Sequence, residues 1–136
     1  MRVFLDTNII VSAFATRGLC TDLFREILSA HTLITSEYVL EETRNVLFHR
    51  FKVPEETVIE IIALLRKQEI VPPPATLPEI SIRDLDDLPV IAAAIEARAD
   101  YLVTGDKDIL SLIPLKEIKI AAPREFWTAI SKIRSL

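Results

Sequence analysis

Two aspartates in this sequence stand directly after short apolar segments. Asp6 follows residues 3–5 (VFL), and Asp106 follows residues 101–105 (YLVTG). Ligand sites of open parallel sheets lie beyond the carboxyl ends of the strands. If the two segments are parallel strands of one sheet, both carboxylates lie at the same edge and can be neighbours in space.

Adjacent glutamates on a predicted helix from Glu37 to Phe48 add a third carboxylate. A helix turns by about 100° per residue, so the facing of each side chain follows from the sequence. With Val39 as the origin, the apolar residues centre at about 40°, Glu42 falls at about 300° and Glu41 at about 200°. Glu42 therefore flanks the buried face, whereas Glu41 points to solvent.

The same test applies to a later predicted helix, which begins at Asp86 or Asp87 and runs through Arg98. With Ile91 as the origin, the apolar residues centre at about 330°, Asp87 falls at about 320° and Asp86 at about 220°. Asp87 therefore looks inward at the start of this helix and adds a fourth carboxylate.

Four carboxylates can thus converge at one sheet edge, namely those of Asp6, Glu42, Asp87 and Asp106. No Arg or Lys occupies these inward positions, and unpaired like charges at close range are costly. A hard divalent cation is the usual remedy, so the sequence predicts Mg²⁺ or Mn²⁺ at this edge. Such a cation, or a pair about 3.5–4 Å apart, orients a phosphodiester, activates water for in-line attack and stabilises the leaving oxygen.

Strands and helices that alternate along the chain must position these acids. The apolar patterns predict strands at 2–5, 32–35, 70–71, 101–104 and 118–121. Periodicity and capping residues predict helices at 8–14, 21–30, 36–48, 54–68 and 86–98, with a last helix starting at 123. Strands separated by helices imply an α/β fold in which a mainly parallel sheet carries helices on both faces. The irregular stretch at 72–83 is then a connection within one domain.

The composition limits the classes of protein to which this chain can belong. A length of 136 residues, half of them hydrophobic, predicts one domain spanning 1–136. Sixteen Lys and Arg against 20 Asp and Glu give a net charge of −4, which excludes the overall basic surface of a DNA-binding domain. Cys20 is the only cysteine, so no disulfide framework is expected. We therefore expect a cytoplasmic location. No apolar run is long enough for a membrane helix, so no membrane association is expected.

This arrangement resembles the PIN-domain family of metal-dependent ribonucleases, which includes the VapC-type toxins of toxin–antitoxin systems. The resemblance runs from residues 3–8 (VFLDTN), through Glu42 and Asp87 with residues 90–94 (VIAAA), to residues 102–108 (LVTGDKD). It therefore covers nearly the whole chain, and it implies a three-layer PIN-like fold.

The resemblance also implies roles and partners. In that family the four matching acids hold the metal, and the Thr or Asn after the first Asp and the Thr before the last one support the site. By resemblance, Thr7, Asn8 and Thr104 take these supporting roles here. The resemblance further implies an RNA substrate, an antitoxin protein as partner and a homodimer.

Neighbouring residues leave two assignments open. Asp84, Asp86 and Asp108 crowd the same motifs, so the third and fourth ligands could each be a neighbour of the acid chosen above. Cations near the predicted site could hold RNA phosphates, or they could be solvated residues at helix ends. These cations are Arg17, Arg44, Arg50, Lys52 and Lys107.

Two other functions fit parts of the pattern. A phosphatase of the haloacid-dehalogenase kind also has an Asp after a strand and a later Thr-Gly-Asp. Its chemistry needs a second Asp two residues after the nucleophile, where Asn8 stands. The other alternative is a catalytically silent PIN-like scaffold that binds protein or RNA. A nuclease assay with and without chelator distinguishes all three.

Overall fold

A central sheet of five parallel strands organises the fold. The computed structural model describes residues 1–112, 115 and 117–134. Its strands are β1 (Arg2–Leu5), β2 (Thr32–Ser36), β3 (Glu69–Val71), β4 (Tyr101–Val103) and β5 (Lys119–Ala121). They lie in the order β3-β2-β1-β4-β5, and every neighbouring pair is parallel.

Seven α-helices in the described part of the chain complete a three-layer α/β fold around this sheet. They are α1 (Thr7–Ala15), α2 (Leu19–Ala30), α3 (Glu37–Asn45), α4 (Glu55–Arg66), α5 (Leu88–Glu96), α6 (Lys107–Leu110) and α7 (Pro123–Arg134). The predicted α/β architecture with a parallel sheet is confirmed. None of the helices described is both long and apolar enough to cross a membrane.

The position of β1 explains where a ligand can bind. Val3, Phe4 and Leu5 are fully buried, and β1 pairs with β2 on one side and β4 on the other. The strands β1, β2 and β3 follow one another towards one edge of the sheet, and β4 then returns to the other side of β1. Leu5 lies opposite Val103, so the residues after these two strands meet at this reversal, which is where open α/β sheets bind ligands.

Differences from the predicted elements lie at helix ends. The helix predicted from 21 begins at Leu19, directly after Gly18, whose φ of 152° suits glycine. The helix predicted from Asp86 or Asp87 to Arg98 begins later, at Leu88, because a 3₁₀ turn forms over Leu85–Asp87. It ends at Glu96, because Arg98 takes a left-handed φ of 53°. The short helix α6 was not predicted, since only four residues form it.

The helix predicted from 36 to 48 changes its geometry part-way. α3 ends at Asn45, and a π-helical turn follows over Val46–Arg50, closed by a hydrogen bond from the Phe51 amide to the Val46 carbonyl at 3.2 Å. Lys52 then takes a left-handed φ of 55°, which ends the helical path. Apolar periodicity does not separate one π turn from a continuing α-helix.

Candidate metal centre

Asp6 lies at the junction of β1 and α1, where it caps the helix. Its Oδ1 accepts a hydrogen bond from the Thr7 backbone N–H at 2.8 Å, and its Oδ2 accepts one from the Thr104 hydroxyl at 2.7 Å. Burial raises the pKa of the Asp6 carboxyl, although these hydrogen bonds favour its charged form. The nearby charges of Glu42 and Asp106 raise this pKa further. Asp6 is therefore a buried acid that other acids surround.

Thr104 ties the ends of β1 and β4 together. Its hydroxyl donates to Asp6 and accepts a hydrogen bond from the Asp106 backbone N–H at 3.0 Å. The Thr104 side chain is fully buried. One hydroxyl thus fixes the Asp6 carboxylate relative to the backbone that carries Asp106.

Glu42 reaches the same edge from α3. The Thr7 hydroxyl donates to Glu42 Oε1, so the first turn of α1 holds this carboxylate. Glu41 is exposed and forms an ion pair with Arg44 at 2.9 Å. The facing predicted for the two glutamates is the one observed, while the ligand role of Glu42 stays a prediction.

Asp87 stands at the end of a 3₁₀ turn, Leu85–Asp87, directly before α5. Its Oδ2 atom is buried and has no hydrogen-bond partner among the described residues. Burial raises the pKa of Asp87 to about 7, with Asp106 the strongest of the acidic neighbours that add to this shift. Asp86, by contrast, is exposed. A buried carboxylate oxygen without a donor is costly unless a proton or a cation satisfies it.

Asp106 and Asp108 complete a compact group of oxygens with Asp87. Asp106 Oδ1 accepts from the backbone N–H groups of Asp108 at 2.8 Å and Ile109 at 3.3 Å, which starts α6. One carboxylate oxygen from each of Asp87, Asp106 and Asp108 lies within 4.8 Å of the other two. The sequence left Asp108 open as an alternative to its neighbour Asp106, and the structure places it beside both Asp106 and Asp87.

These five acids, Asp6, Glu42, Asp87, Asp106 and Asp108, form the acidic cluster. All their donor atoms are oxygens, which Mg²⁺ and Mn²⁺ prefer. The ion pairs found among the described residues each join an Arg to a Glu elsewhere and involve none of these acids. No ion pair among the described residues therefore neutralises the cluster, which also holds a buried oxygen without a hydrogen-bond donor. The residues present fit a divalent cation.

A family model for the PIN domain matches residues 2–108, a span that contains the whole acidic cluster. The chain belongs to the PIN domain family. No curated protein sequence matches it significantly. The family assignment confirms the resemblance read from the residue motifs.

Solved structures share this PIN fold at low sequence identity. A chain in the crystal structure of VapBC2 from Rickettsia felis bound to a DNA fragment from its promoter is 20% identical, with a TM-score of 0.63 over 90% of this chain and 98% of that one. VapC20 from Mycobacterium tuberculosis, a sarcin–ricin loop cleaving toxin, is 17% identical, with a TM-score of 0.60 over 86% and 98%. A domain from Methanocaldococcus jannaschii is 17% identical, with a TM-score of 0.51 over 88% of both chains. At these identities the similarity shows the fold alone.

The remaining predicted residues of this PIN domain lie further out. Asn8 is exposed in the first turn of α1, and its side chain forms no hydrogen bond with the described residues. Asp84 is exposed, and its Oδ1 accepts from the Asp86 backbone N–H at 2.9 Å. The charge of Asp84 nevertheless raises the pKa of Asp87, so it lies close to the acidic cluster.

The cations predicted to hold RNA lie on the surface of the PIN domain. They are Arg17, Arg44, Arg50, Lys52 and Lys107. Arg44 is engaged by Glu41 in an exposed ion pair, which contributes little to stability and leaves the guanidinium open to a competing anion. Lys107 follows Asp106 directly, so it is attached to the backbone that carries the acidic cluster.

Sequence reasoning missed Tyr38, which stands one helical turn before Glu42 on α3. Its hydroxyl donates to the Asp86 backbone carbonyl at 3.2 Å. Partial burial raises the pKa of Tyr38 to about 12, and the negative charges of Glu42, Asp86, Asp84 and Asp87 add to the shift. The hydroxyl therefore stays protonated at neutral pH. The i, i+4 spacing between Tyr38 and Glu42 was the signal that could have found it.

Proposed function

We propose that this protein is a metal-dependent endoribonuclease that hydrolyses RNA phosphodiester bonds at the acidic cluster. The observation that carries the proposal is the buried Asp87 Oδ2. This oxygen lies among several other acids and has no hydrogen-bond partner in the described chain. Most buried polar atoms in folded proteins are satisfied, and a divalent cation satisfies a carboxylate oxygen that lies among other acids. Membership of the PIN domain family supports the same function.

The proposed ligands of Mg²⁺ or Mn²⁺ are Asp6, Glu42, Asp87 and Asp106, with Asp108 as a further candidate. A bound cation supplies orientation of the phosphodiester, activation of water and stabilisation of the leaving oxygen. The carboxylates contribute by being fixed before substrate arrives, because preorganised charge needs no rearrangement during the reaction.

Three polar residues support the ligands in this proposal. Thr104 holds the Asp6 carboxylate at 2.7 Å, and the Thr7 hydroxyl holds Glu42. Asn8 follows Thr7 on the exposed side of the same helix turn, where its amide is open to substrate or solvent. The first turn of α1 and the end of β4 therefore act together as the frame of the site.

The surface cations are proposed to bind RNA phosphates, because the molecule as a whole is acidic and attracts a polyanion only locally. Phosphate contacts position a nucleic acid without reading its sequence. The proposed contacts are Arg17, Arg44, Arg50, Lys52 and Lys107. Replacing Lys107 by Gln is expected to weaken RNA binding and to reduce its salt dependence, measured by titration at increasing NaCl.

We further propose that the protein is the cytoplasmic toxin of a toxin–antitoxin pair and forms a homodimer. The structural similarity to VapBC2 and to the toxin VapC20 supports this biological role. A gene for a small DNA-binding antitoxin beside this one would support the pairing. Light scattering at tens of micromolar tests the dimer, since a mass of 15.4 kDa would identify a monomer.

Cleavage of defined RNAs with Mg²⁺, Mn²⁺ or EDTA tests the proposed activity. We expect cleavage with either cation and none in EDTA. An Asp6→Asn protein purified in parallel controls for contaminating nuclease. Cleavage that resists EDTA, or that Asp6→Asn retains in full, contradicts the proposal. RNA binding without cleavage supports the silent scaffold, and hydrolysis of a phosphomonoester with RNA left intact supports the phosphatase.

A further inference from the structure

An apolar groove of about 410 Å³ opens beside the acidic cluster. Its lining includes the aromatic ring of Tyr38 and a wall of prolines and one leucine. The residues of this wall are Pro72, Pro73, Pro74, Leu77 and Pro89. A volume of this size is within the range of pockets that hold a small molecule. We call this feature the proline groove.

The proline groove is continuous with the acidic cluster through Tyr38. The Tyr38 hydroxyl donates to the Asp86 carbonyl at 3.2 Å, next to the proposed ligand Asp87. The charges of Glu42 and Asp87 both act on this hydroxyl, so both carboxylates lie nearby. Pro89 enters the groove two residues after Asp87. A substrate whose phosphate lies at the acidic cluster therefore has its next nucleotide within reach of the groove.

The polar side chains that line the proline groove, those of Ser36, Glu37 and Tyr38, each have a hydrogen-bond partner. Arg66 binds both carboxylate oxygens of Glu37, at 2.9 and 3.2 Å. Ser36 Oγ accepts a hydrogen bond from the Val39 backbone N–H at 3.2 Å. What remains for a ligand is mostly apolar surface, beside Tyr38, a residue that is 37% exposed. Exposed aromatic side chains bind the faces of nucleobases by stacking.

We infer that the proline groove takes one unpaired nucleobase of the RNA, adjacent to the scissile phosphate, stacked on the ring of Tyr38. This inference rests on the proposed function, because it uses the acidic cluster as the place of the phosphate. The groove selects for the presence of a base and not for its identity, since its polar side chains are engaged and stacking tolerates every base.

Variants of Tyr38 test the inference on the full-length protein with Mn²⁺. Tyr38→Leu removes the ring and is expected to raise KM for single-stranded RNA about tenfold or more, with a smaller effect on kcat. Tyr38→Phe keeps the ring and loses only the hydrogen bond to Asp86, so KM is expected to change less than threefold. Phe48→Leu is the matched control, because Phe48 is 42% exposed on the π turn outside the groove, and it is expected to leave KM unchanged.

Substrates that lack one base provide the second arm. An RNA with an abasic ribonucleotide placed in turn at each position around the cleaved bond should lose affinity at one position in the wild type. The same substrate should lose nothing further with Tyr38→Leu, because ring and base are two halves of one contact. Quenching of 2-aminopurine at that position reports binding without cleavage, in the Asp6→Asn protein as well as the wild type.

These measurements separate the inference from the proposed function. If the wild type cleaves RNA in a metal-dependent way but Tyr38→Leu and every abasic substrate behave as the controls do, the groove is not a base site and the nuclease stands. If Tyr38→Phe loses as much as Tyr38→Leu, the hydroxyl matters through Asp86 and stacking is refuted. If no RNA is cleaved, the proposed function fails, and 2-aminopurine quenching that depends on Tyr38 still decides whether the groove binds a base.

Discussion

Neighbouring acids of this protein differ in the surroundings of their carboxylates. Glu42 accepts a hydrogen bond from Thr7 at the sheet edge, whereas Glu41 pairs with Arg44 on the surface. Glu42→Gln is expected to lower RNA cleavage by on the order of a hundredfold or more, as the loss of a metal ligand does. Glu41→Gln is expected to retain most activity. Initial rates at saturating Mn²⁺ check both, and equal damage from the two variants would show that the helix facing does not decide the role.

Asp87 and Asp86 form a second matched pair. Asp87 carries the buried oxygen without a partner, and Asp86 is exposed. Asp87→Asn is expected to lose activity on the same scale as Glu42→Gln, while Asp86→Asn keeps it, because the Asp86 backbone carbonyl that accepts from Tyr38 is untouched. Both changes are isosteric, so circular dichroism should find both proteins folded. Loss of activity in Asp86→Asn but not in Asp87→Asn would show that Asp86, and not Asp87, is the metal ligand.

The facing of Glu41 and Glu42 could be predicted from the sequence, because it depends only on the helical repeat and the apolar stripe of α3. The helical repeat also predicted which of Asp86 and Asp87 is less exposed, although both lie in the 3₁₀ turn before α5. Asp108 could not be ranked against Asp106, since the short helix α6 that brings both towards Asp87 is set by a capping contact. The i, i+4 spacing from Glu42 could have shown that Tyr38 lies on the same side of α3. The hydrogen bond from its hydroxyl could not have been predicted, because the acceptor is a backbone carbonyl 48 residues further along the chain.

At the scale of elements, the frame of the site depends on the junction between β1 and β4. The Thr104 hydroxyl both donates to Asp6 Oδ2 and accepts from the Asp106 backbone N–H. Thr104→Val keeps the shape but removes the hydroxyl, and it is expected to lower the free energy of unfolding by about 1–3 kcal/mol, because the buried Asp6 carboxylate and the partly buried Asp106 N–H lose their partner. Urea unfolding measures this loss.

Thr104→Ser is the control for that junction. It keeps the hydroxyl and loses a buried methyl group, which costs about 1 kcal/mol by itself. A fall in stability is therefore expected in both variants and does not distinguish them. Mn²⁺ affinity, measured by calorimetry, should weaken in Thr104→Val and not in Thr104→Ser. If both variants bind Mn²⁺ as the wild type does, Thr104 supports the fold and not the metal centre.

Most of the elements were predictable because each is bounded by residues with a local effect. Ser36 accepts from the Val39 backbone N–H and starts α3, and Pro54 stands at the start of α4, as the sequence indicated. The π turn over Val46–Arg50 was not predictable, because it preserves the helical path and its apolar face. The order of strands in the sheet was not predictable either. The placement of β4 beside β1 is a tertiary contact. The sequence indicates it only indirectly, because Asp6 and Asp106 can act together only if the two strands are close.

At the scale of the whole molecule, the acidic cluster makes stability depend on pH. Burial, with neighbouring acids adding to it, raises the pKa of Asp87 from 3.8 to about 7 and also raises that of Asp6. An acid with a higher pKa in the folded state binds more protons when folded, so its favourable contribution is present at low pH and is lost as pH rises. In EDTA, the free energy of unfolding is therefore expected to fall between about pH 4 and about pH 7.

Asp87→Asn isolates the part of this dependence that comes from one group. The amide does not ionise, so the free energy of unfolding of this variant, relative to that of the wild type, should increase from about pH 4 upwards. The increase should level off above about pH 7. Urea unfolding in EDTA across this range measures the difference. A difference that stays constant with pH would mean that Asp87 titrates alike in the folded and unfolded chains.

Cation binding should reverse this destabilisation and so connect the site to the stability of the molecule. A ligand that binds only the folded state at ten times its Kd adds about 1.4 kcal/mol, which raises Tm by roughly 4–6 °C for a domain of this size. Titration with MnCl₂ should therefore raise Tm, while NaCl at equal ionic strength controls for general screening of repulsion.

Asp6→Asn should abolish the Mn²⁺-dependent rise without lowering Tm in EDTA, because removing one of several like charges is neutral or stabilising when no cation is present. If millimolar Mn²⁺ leaves the wild-type Tm where NaCl leaves it, the acidic cluster is not a metal centre, and the unpartnered Asp87 oxygen is satisfied by a proton instead.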